Sequence, residues 1–107
     1  MTAQVDIAAL ADRLERISIG YAAREGIDRN DDWFLLKLVE ELGELTQMQL
    51  ARTGRSKDRG LDAEQLDARL AEECADVLGH VLLFARRNGI DLDAALDAKW
   101  FRWERLA

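Results

Sequence analysis

Three observations predict an all-α fold for this chain of 107 residues. The sequence contains no proline, and apolar residues recur at helical spacing in four segments. No segment shows the strict alternation of apolar and polar residues that marks a half-buried strand. Because the connections between the segments are short, we expect a four-helix bundle formed by one domain, residues 1–107.

The first predicted helix runs from about Asp6 to Glu25. Gly26 follows it directly, and glycine commonly ends a helix because it adopts the left-handed conformation without strain. One face of this helix is apolar and is expected to cover the core. Its members are Ile7, Leu10, Leu14, Ile17 and Tyr21.

The second predicted helix begins after cap candidates at positions 30–32 and runs to about Arg52. It too has an apolar face that we expect to turn toward the core. The segment that follows, GRSKDRG at positions 54–60, has the composition of a flexible loop. The apolar face of the helix consists of Leu35, Leu38, Val39, Leu42 and Leu45.

The third predicted helix starts at Asp62, with Gln65 three residues later in the pattern of a capping box, and continues to about Asn88. Gly89 ends it, and Asp91 then caps a fourth helix that runs from Leu92 almost to the C-terminus. The apolar residues of the third helix are Leu66, Leu70, Cys74, Val77, Leu78, Val81 and Ala85, and those of the fourth include Leu96, Trp100 and Trp103.

Composition limits the classes of function. The net charge of −6 argues against a general nucleic-acid-binding protein, which would carry a basic face. No run approaches the roughly 20 apolar residues of a membrane span. The N-terminal residues lack the basic and apolar regions of a signal peptide, and Cys74 is a single cysteine that has no partner for a disulfide. These features favour a cytoplasmic protein that binds neither nucleic acid nor membrane.

The stretch KLVEELGELTQ, positions 37–47, places three glutamates within five positions of the second helix. At about 100° per residue, Glu41 lies at the edge of the apolar face and Glu44 lies one step further out. Glu40 lies opposite the core and is expected to be solvated. Lys37 is placed to offset the charge of Glu40 and Glu41.

The third helix repeats this arrangement in the stretch AEECADVLGH, positions 71–80. Glu73 lies almost inside the apolar face, Asp76 lies just outside it, and His80 is on the same edge further along. Glu72 points outward. Each of two consecutive helices therefore offers a pair of carboxylates, three residues apart, at the border of its core face.

Four half-buried carboxylates at one rim would repel one another and lose hydration, and a divalent cation would remove both penalties. Oxygen ligands of this kind suit Mg²⁺ or Mn²⁺ better than zinc. The alternative is a solvated acidic face without a metal. A ferritin-like di-iron bundle is a weaker alternative, because it uses Glu-x-x-His on two helices and this chain has one histidine.

At these residues the sequence resembles the all-α nucleoside triphosphate pyrophosphohydrolases, the MazG-like and dCTPase/dUTPase-like superfamily. The resemblance rests on EELGE at positions 40–44 and EECAD at positions 72–76, and it continues through VLGHVLLFARRNGIDLDAALDAKW. It covers roughly residues 35–99. It implies a homodimer or a homotetramer that hydrolyses a nucleoside triphosphate to the monophosphate and pyrophosphate, with Mg²⁺ as cofactor.

The resemblance also implies roles for individual residues. Lys99 would contact phosphate, and the Mg²⁺ ligands would be Glu41, Glu44, Glu73 and Asp76. Hydrolysis at phosphorus needs positioning and charge neutralisation more than a protein nucleophile, so a glutamate that accepts a proton from water would suffice. Both Glu41 and Glu44 are candidates for this catalytic base.

Further residues could contact the substrate, each with a structural alternative. His80 could touch substrate or metal or be a structural histidine, and Lys37 could also face the substrate. Trp33 could stack on a base but, like Trp100 and Trp103, could equally belong to the core or to a subunit interface. The basic loop could close over a triphosphate or be solvated; its cations are Arg52, Arg55, Lys57 and Arg59. Cys74 and Met48 are expected to be packing residues.

Two further hypotheses stay open at this point. One is a non-catalytic helical module that dimerises through its aromatic-rich fourth helix. The other is a bundle in which the metal has a structural role. Four short helices cannot easily cover Trp100, Phe101 and Trp103 together, so we expect some of these side chains to pack against another subunit.

Overall fold

The computed structural model describes residues 6–57 and 59–106, all of which belong to helices or to the connections between them. The long helices are α1 (Ile7–Glu25), α2 (Asp31–Arg52) and α3 (Ala63–Arg87). A fourth helical stretch comprises α4 (Leu92–Leu96), a π-helical segment (Asp97–Phe101) and α5 (Arg102–Leu106). The prediction of an all-α chain with four helical segments is confirmed, whereas the π-helical segment was not predicted.

Side-chain caps explain where the helices begin. Asp6, Asn30 and Asp91 each accept a hydrogen bond from the backbone N–H three residues later. At the start of α3, Asp62 and Gln65 bond reciprocally: the Gln65 N–H donates to Asp62 Oδ1 at 2.8 Å, and the Asp62 N–H donates to Gln65 Oε1 at 2.9 Å. The predicted capping box is confirmed, and its reciprocal bonds satisfy backbone donors that have no partner within a helix.

Glycines end two of the helices as predicted. Gly26 has φ 65°, and the N–H of Ile27 donates to Ala22 O at 2.9 Å. Gly89 has φ 64°, and the N–H of Ile90 donates to Ala85 O at 2.9 Å. These bonds satisfy carbonyls of the last helical turn while a residue without Cβ adopts the left-handed conformation.

The chain forms two compact units. The first contains α1 and the chain from Leu82 onward, and the second runs from Arg29 to Val81. The second unit therefore holds α2, the loop after it and the first part of α3. The single domain and the four-helix bundle stay predictions.

The buried face of α2 differs from the predicted one. Phe34, Glu41 and Met48, which are spaced seven residues apart, are the buried residues of this helix. Leu35, Val39 and Leu42, which were predicted to cover the core, are 49%, 60% and 51% exposed. The apolar residues of α2 extend too far around the helix for one buried face to include them all, and the sequence pattern does not say which part is covered.

Other core assignments also need correction. On α1 the buried residues are Ala11, Ser18 and Ala22, and Ile17 and Tyr21 of the predicted face are exposed. On α3, Leu78 is exposed. Cys74, predicted to be a packing residue, is exposed as well, whereas the prediction for Met48 is confirmed. The buried residues of α1 are thus small ones, and two of the large apolar residues of the predicted face are in contact with solvent. Within the described residues, no helix has the length and apolar character needed to cross a bilayer.

Candidate metal centre

The acidic site is built by two helices of the second unit. Helix α2 supplies Glu41, and the adjacent part of α3 supplies Glu73 and Asp76. Glu41 and Glu73 are 6% and 8% exposed, and Asp76 is exposed. One carboxylate oxygen from each of these three residues lies within 4.8 Å of the other two. The structure thus brings together three of the four carboxylates that the sequence singled out.

Two oxygens of this cluster lack the partners that buried polar atoms normally have. Glu41 Oε2 and Glu73 Oε2 are buried and have no hydrogen-bond partner within the described part of the chain. A buried carboxylate oxygen without a donor is a costly feature, because its hydration is lost and not replaced. The cluster therefore has the negative charge and the free lone pairs that a cation site requires.

Electrostatics at the site follow from this crowding. Burial raises the pKa of Glu41 from its ordinary value of 4.5 to about 7, with further increases from a hydrogen bond to Glu44, the charge of Glu44 and the charge of Asp76. Burial also raises the pKa of Glu73, and the charge of Glu44 and a hydrogen bond to it act in the same direction. Without a cation, these carboxyl groups resist ionisation.

Glu44 lies next to this cluster. It is half-buried, and its carboxyl group hydrogen-bonds with those of both Glu41 and Glu73. It is not one of the three residues whose oxygens converge. Glu44 is thus close enough to interact with Glu41 and Glu73, but it is not among the residues whose carboxylate oxygens converge.

The outward-facing glutamates behave as predicted. The Glu40 side chain is 56% exposed, and Glu72 is exposed too. Position 40 and position 72 each precede a buried glutamate, so neighbouring carboxylates on these helices have opposite environments. Helical spacing alone correctly separated the solvated residues from the buried ones.

Lys37 is the cation beside the cluster. Its Nζ lies 3.3 Å from Glu40 Oε1 and 3.4 Å from Glu41 Oε1. Burial lowers the pKa of Lys37, but hydrogen bonds to Glu40 and Glu41 and their charges outweigh burial and raise it. The predicted pairing of Lys37 with both glutamates is confirmed. The ion pair involves Oε1 of Glu41, so Glu41 Oε2 stays without a hydrogen-bond partner within the described residues.

His80 and Trp33 stand together at the same site. Their rings pack edge to face with centroids 6.2 Å apart, and both residues are half-buried. Burial, followed by the charge of Lys37, lowers the pKa of His80, so the imidazole is neutral near pH 7. Its Nδ1 is buried and has no hydrogen-bond partner among the described residues.

Arg29 was missed by sequence reasoning. It lies in the connection before α2, and its guanidinium stands 4.8 Å from the ring centroid of Phe34 and 5.8 Å from that of Trp33. Cation–π contacts of this kind fix the orientation of the aromatic rings. An arginine shortly before an aromatic pair at the start of a helix is a weak signal, because such sequences are common.

The remaining predicted substrate contacts are Lys99 and the cations of the basic loop. Lys99 is exposed and belongs to the π-helical segment, which is part of the first unit. In the basic loop, Arg52 Nε lies 2.6 Å from Asp67 Oδ1, so this cation already has a carboxylate partner. Arg55, Lys57 and Arg59 are exposed, and position 58 lies outside the described residues. A substrate role for Lys99 and for the loop stays a prediction.

Comparison with known protein families, with characterised proteins and with solved structures finds no match to this chain. The chemistry of the site is therefore inferred from the side chains that form it. Three convergent carboxylate oxygens without sulfur or imidazole in the cluster are typical of Mg²⁺ or Mn²⁺ sites. Such a site can position and neutralise an anionic phosphate ligand.

Proposed function

We propose that this protein is an Mg²⁺-dependent nucleoside triphosphate pyrophosphohydrolase that converts a nucleoside or deoxynucleoside triphosphate to the monophosphate and pyrophosphate. The observation that carries the proposal is the pair of buried glutamates, Glu41 and Glu73, with unpartnered oxygens beside Asp76. Lys37 pairs with Oε1 of Glu41, but burying the Oε2 atoms of Glu41 and Glu73 without any partner is unfavourable. Their retention at one place is therefore best explained by a bound cation.

The donor set fits Mg²⁺, and Mn²⁺ would be accepted for the same reason. Glu41, Glu73 and Asp76 would hold the ion, with Glu44 as the further predicted ligand. Bound there, Mg²⁺ would supply positive charge to the carboxylates and to the phosphate oxygens of the substrate. Without it, a triphosphate would be repelled by a cluster of like charge.

The residues of the chain suggest a division of roles. Glu44 is adjacent to the three convergent residues but outside their set, so we assign it the removal of a proton from the attacking water. Lys37 holds Glu41 in place through its ion pair and adds positive charge beside the site. The neutral imidazole of His80 and the ring of Trp33 form an aromatic wall, suited to contact with a nucleotide base.

Cleavage between the α- and β-phosphates is proposed from the paired motifs EELGE and EECAD. The acidic cluster by itself supports metal-assisted chemistry on a phosphate and does not select which bond breaks. The proposed substrate is the class of nucleoside triphosphates, and the proposed reaction type follows from the resemblance that these motifs carry.

Self-association is part of the proposal. A row of large aliphatic side chains on α2, consisting of Leu35, Leu36, Val39 and Leu42, is 49–64% exposed. Together they present on the order of 400 Å² of apolar surface, which is about the largest patch that a typical monomer leaves in water. We propose that two copies cover this row in a homodimer, which could pair again into a homotetramer.

A non-catalytic dimerisation module is the second candidate, and the same exposed row on α2 favours it. A structural cation between α2 and α3 is a variant of this candidate. The dimerisation module predicts self-association and the structural cation predicts metal binding, in both cases without release of pyrophosphate. Measuring pyrophosphate release therefore distinguishes these two candidates from an enzyme.

The deciding experiment is a panel of ribo- and deoxyribonucleoside triphosphates incubated with Mg²⁺, with separate detection of pyrophosphate, orthophosphate and monophosphate. We expect pyrophosphate and monophosphate in equal amounts from at least one nucleotide. Asp76→Asn should lower turnover by roughly 100-fold or more, and Glu72→Gln, at an exposed neighbouring carboxylate, should preserve it. Orthophosphate as the main primary product would refute pyrophosphohydrolase activity.

A further inference from the structure

The C-terminal helical stretch carries a row of large apolar residues that are half-buried near its start and exposed further along. Leu92 and Leu96 are half-buried, but Trp100 and Trp103, which continue the same row, are 67% and 59% exposed. Phe101 between them is exposed as well. We call Trp100, Phe101 and Trp103 the aromatic segment. Large aromatic side chains in water are typical of protein-binding surfaces, where tryptophan often contributes most of the binding energy.

A groove in the same unit has the opposite character. It has a volume of about 410 Å³ and runs between α1, the end of α3 and the turn into α4. Its buried lining, which we call the floor, includes Ala11, Leu82 and Ala85, and the short side chains of the two alanines give the groove depth. The volume lies within the range of roughly 300–1,000 Å³ of pockets that bind drug-sized molecules. It is therefore large enough for an indole side chain.

The charges at the rim of the groove complement those of the aromatic segment. Asp91 and Asp93 stand at the rim with Asp12 and Arg86, and Arg86 Nε already lies 2.8 Å from Asp12 Oδ1. Asp93 makes no ion pair within the described part of the chain. The aromatic segment is flanked and interrupted by cations, Lys99 and Arg102, and the Arg102 guanidinium lies 4.9 Å from the centroid of the Trp103 ring.

The groove cannot be filled by the aromatic segment of its own chain. The helical stretch is continuous from Leu92 to Leu106, and Leu92 lines the groove. Eight residues at about 1.5 Å each carry Trp100 roughly 12 Å along the axis, away from the start of α4. A return to the groove would require the helix to break. The complementary occupant is therefore the aromatic segment of another copy.

We propose that the aromatic segment of one copy docks into the groove of a second copy, with Trp100 or Trp103 on the alanine floor and Arg102 at the acidic rim. Each copy has both a groove and a segment, so a two-fold arrangement makes the contact twice and closes on itself. The π-helical segment includes Trp100 and Phe101 of the aromatic segment, and such segments occur frequently at functional positions in helices. This contact involves residues other than the acidic cluster and the exposed row on α2.

Charge reversal in two separate chains tests this reciprocal docking of segment into groove, which we call the exchange. Asp93→Lys places a cation at the rim, and Arg102→Glu places an anion on the segment. Alone, each variant would meet like charge at both contacts of a symmetric dimer, and we expect its association to weaken at least tenfold. In an equimolar mixture, one contact of the mixed dimer would be native and the other would have both charges reversed, so association should recover.

Sedimentation velocity over a micromolar concentration series, with chelator and without nucleotide, gives the association constants; every protein in this series carries Val39→Glu, which weakens association through the exposed row on α2. Glu104→Gln, an exposed change on the same helix, is the matched control and should leave association unchanged. The double change Trp100→Ser/Trp103→Ser tests the aromatic contact without reversing charge and should weaken association. Far-UV circular dichroism verifies that each variant keeps its helices.

Three results would overturn the exchange. The first is a Val39→Glu protein that is monomeric throughout the series, and the second is association of that protein that survives the double tryptophan change. The third is a mixture that associates no better than either charge variant alone. None of these results bears on pyrophosphate release, so the exchange and the proposed activity can fail separately.

Discussion

Glu41 and Glu73 come from different helices, yet one carboxylate oxygen of each lies within 4.8 Å of the other in a place where both side chains are more than nine-tenths buried. Each has a buried oxygen without a hydrogen-bond partner in the described part of the chain. Two like charges at this separation attract a cation or retain a proton.

Asp76→Asn should remove most of the effect of Mg²⁺ on the melting temperature. In the presence of chelator, the melting temperature should stay the same or rise by a few degrees, because one repelling charge is removed. Millimolar Mg²⁺ should raise the melting temperature of the wild type, since a ligand at 100 times its dissociation constant adds roughly 2.7 kcal/mol to the free energy of unfolding. That increase should largely disappear in the variant, and turnover should fall by roughly 100-fold or more.

The control for this prediction is Glu72→Gln, which removes an exposed charge from the same helix. It should keep both the Mg²⁺-dependent rise and the activity. Equal rises in wild type and Asp76→Asn would mean that Asp76 is not a ligand.

The free energy of unfolding of the metal-free protein should fall as the pH rises from about 4.5 to about 7. The folded state holds the Glu41 proton up to a pKa of about 7, compared with 4.5 ordinarily, so protonation favours folding. Stability from this group is complete below pH 4.5 and is lost as the pH passes through 7. A shift from 4.5 to about 7, at 1.36 kcal/mol for each pKa unit, corresponds to a loss on the order of 3 kcal/mol.

Urea unfolding in chelator at a series of pH values measures this dependence. Glu41→Gln should flatten the curve between pH 4.5 and 7, and Glu40→Gln, at the exposed neighbour, should not. If Glu41→Gln leaves the slope unchanged, its carboxyl group is not the group that titrates in this range.

Lys37→Met should shift the same curve to higher pH. The hydrogen bond from Lys37 lowers the pKa of Glu41 and partly offsets the effect of burial, so its removal should move the midpoint above about 7. Lys37→Arg keeps a cation and should retain most of the original midpoint. A midpoint that is the same in all three proteins would show that the 3.4 Å contact between Lys37 and Glu41 contributes little in solution.

Val39→Glu should weaken self-association through α2. Val39 is 60% exposed, and a glutamate there would be solvated in a monomer but would face apolar side chains in the proposed dimer. We expect the dissociation constant measured by sedimentation to rise at least tenfold while the helical signal is unchanged. Gln47→Glu adds the same charge at an exposed polar position of α2 and serves as control; an equal effect of both would indicate general charge repulsion.

The helix ends were predictable because their signals are local. Asp62 and Gln65 bond to each other across one turn, and Gly26 acts on the carbonyls of the turn before it. That Glu40 and Glu41 differ in environment was also predictable, since a step of about 100° turns neighbouring side chains of a helix to different faces. These features depend on residues a few positions apart.

The covered part of each apolar face was not predictable, because it depends on which helix lies alongside. Leu35 and Phe34 are adjacent in sequence and similarly apolar, yet only Phe34 is buried. Arg29 was missed for the same reason: its contact with the Phe34 ring depends on the path of the chain before α2. The π-helical segment at Asp97–Phe101 has no sequence signal that we recognise.

The way in which α2 ends and α3 begins has a consequence for protein engineering. Thr53 Oγ1 bonds back to Gln49 O, and the Arg55 N–H bonds to Leu50 O, while the capping box closes the first turn of α3 from within. Neither helix end depends on the length of the connection between them. Doubling the length of such a connection adds only about 0.6 kcal/mol of closure entropy. A reporter peptide or an affinity tag inserted near Ser56 should therefore leave both helices, and the carboxylates they carry, in place.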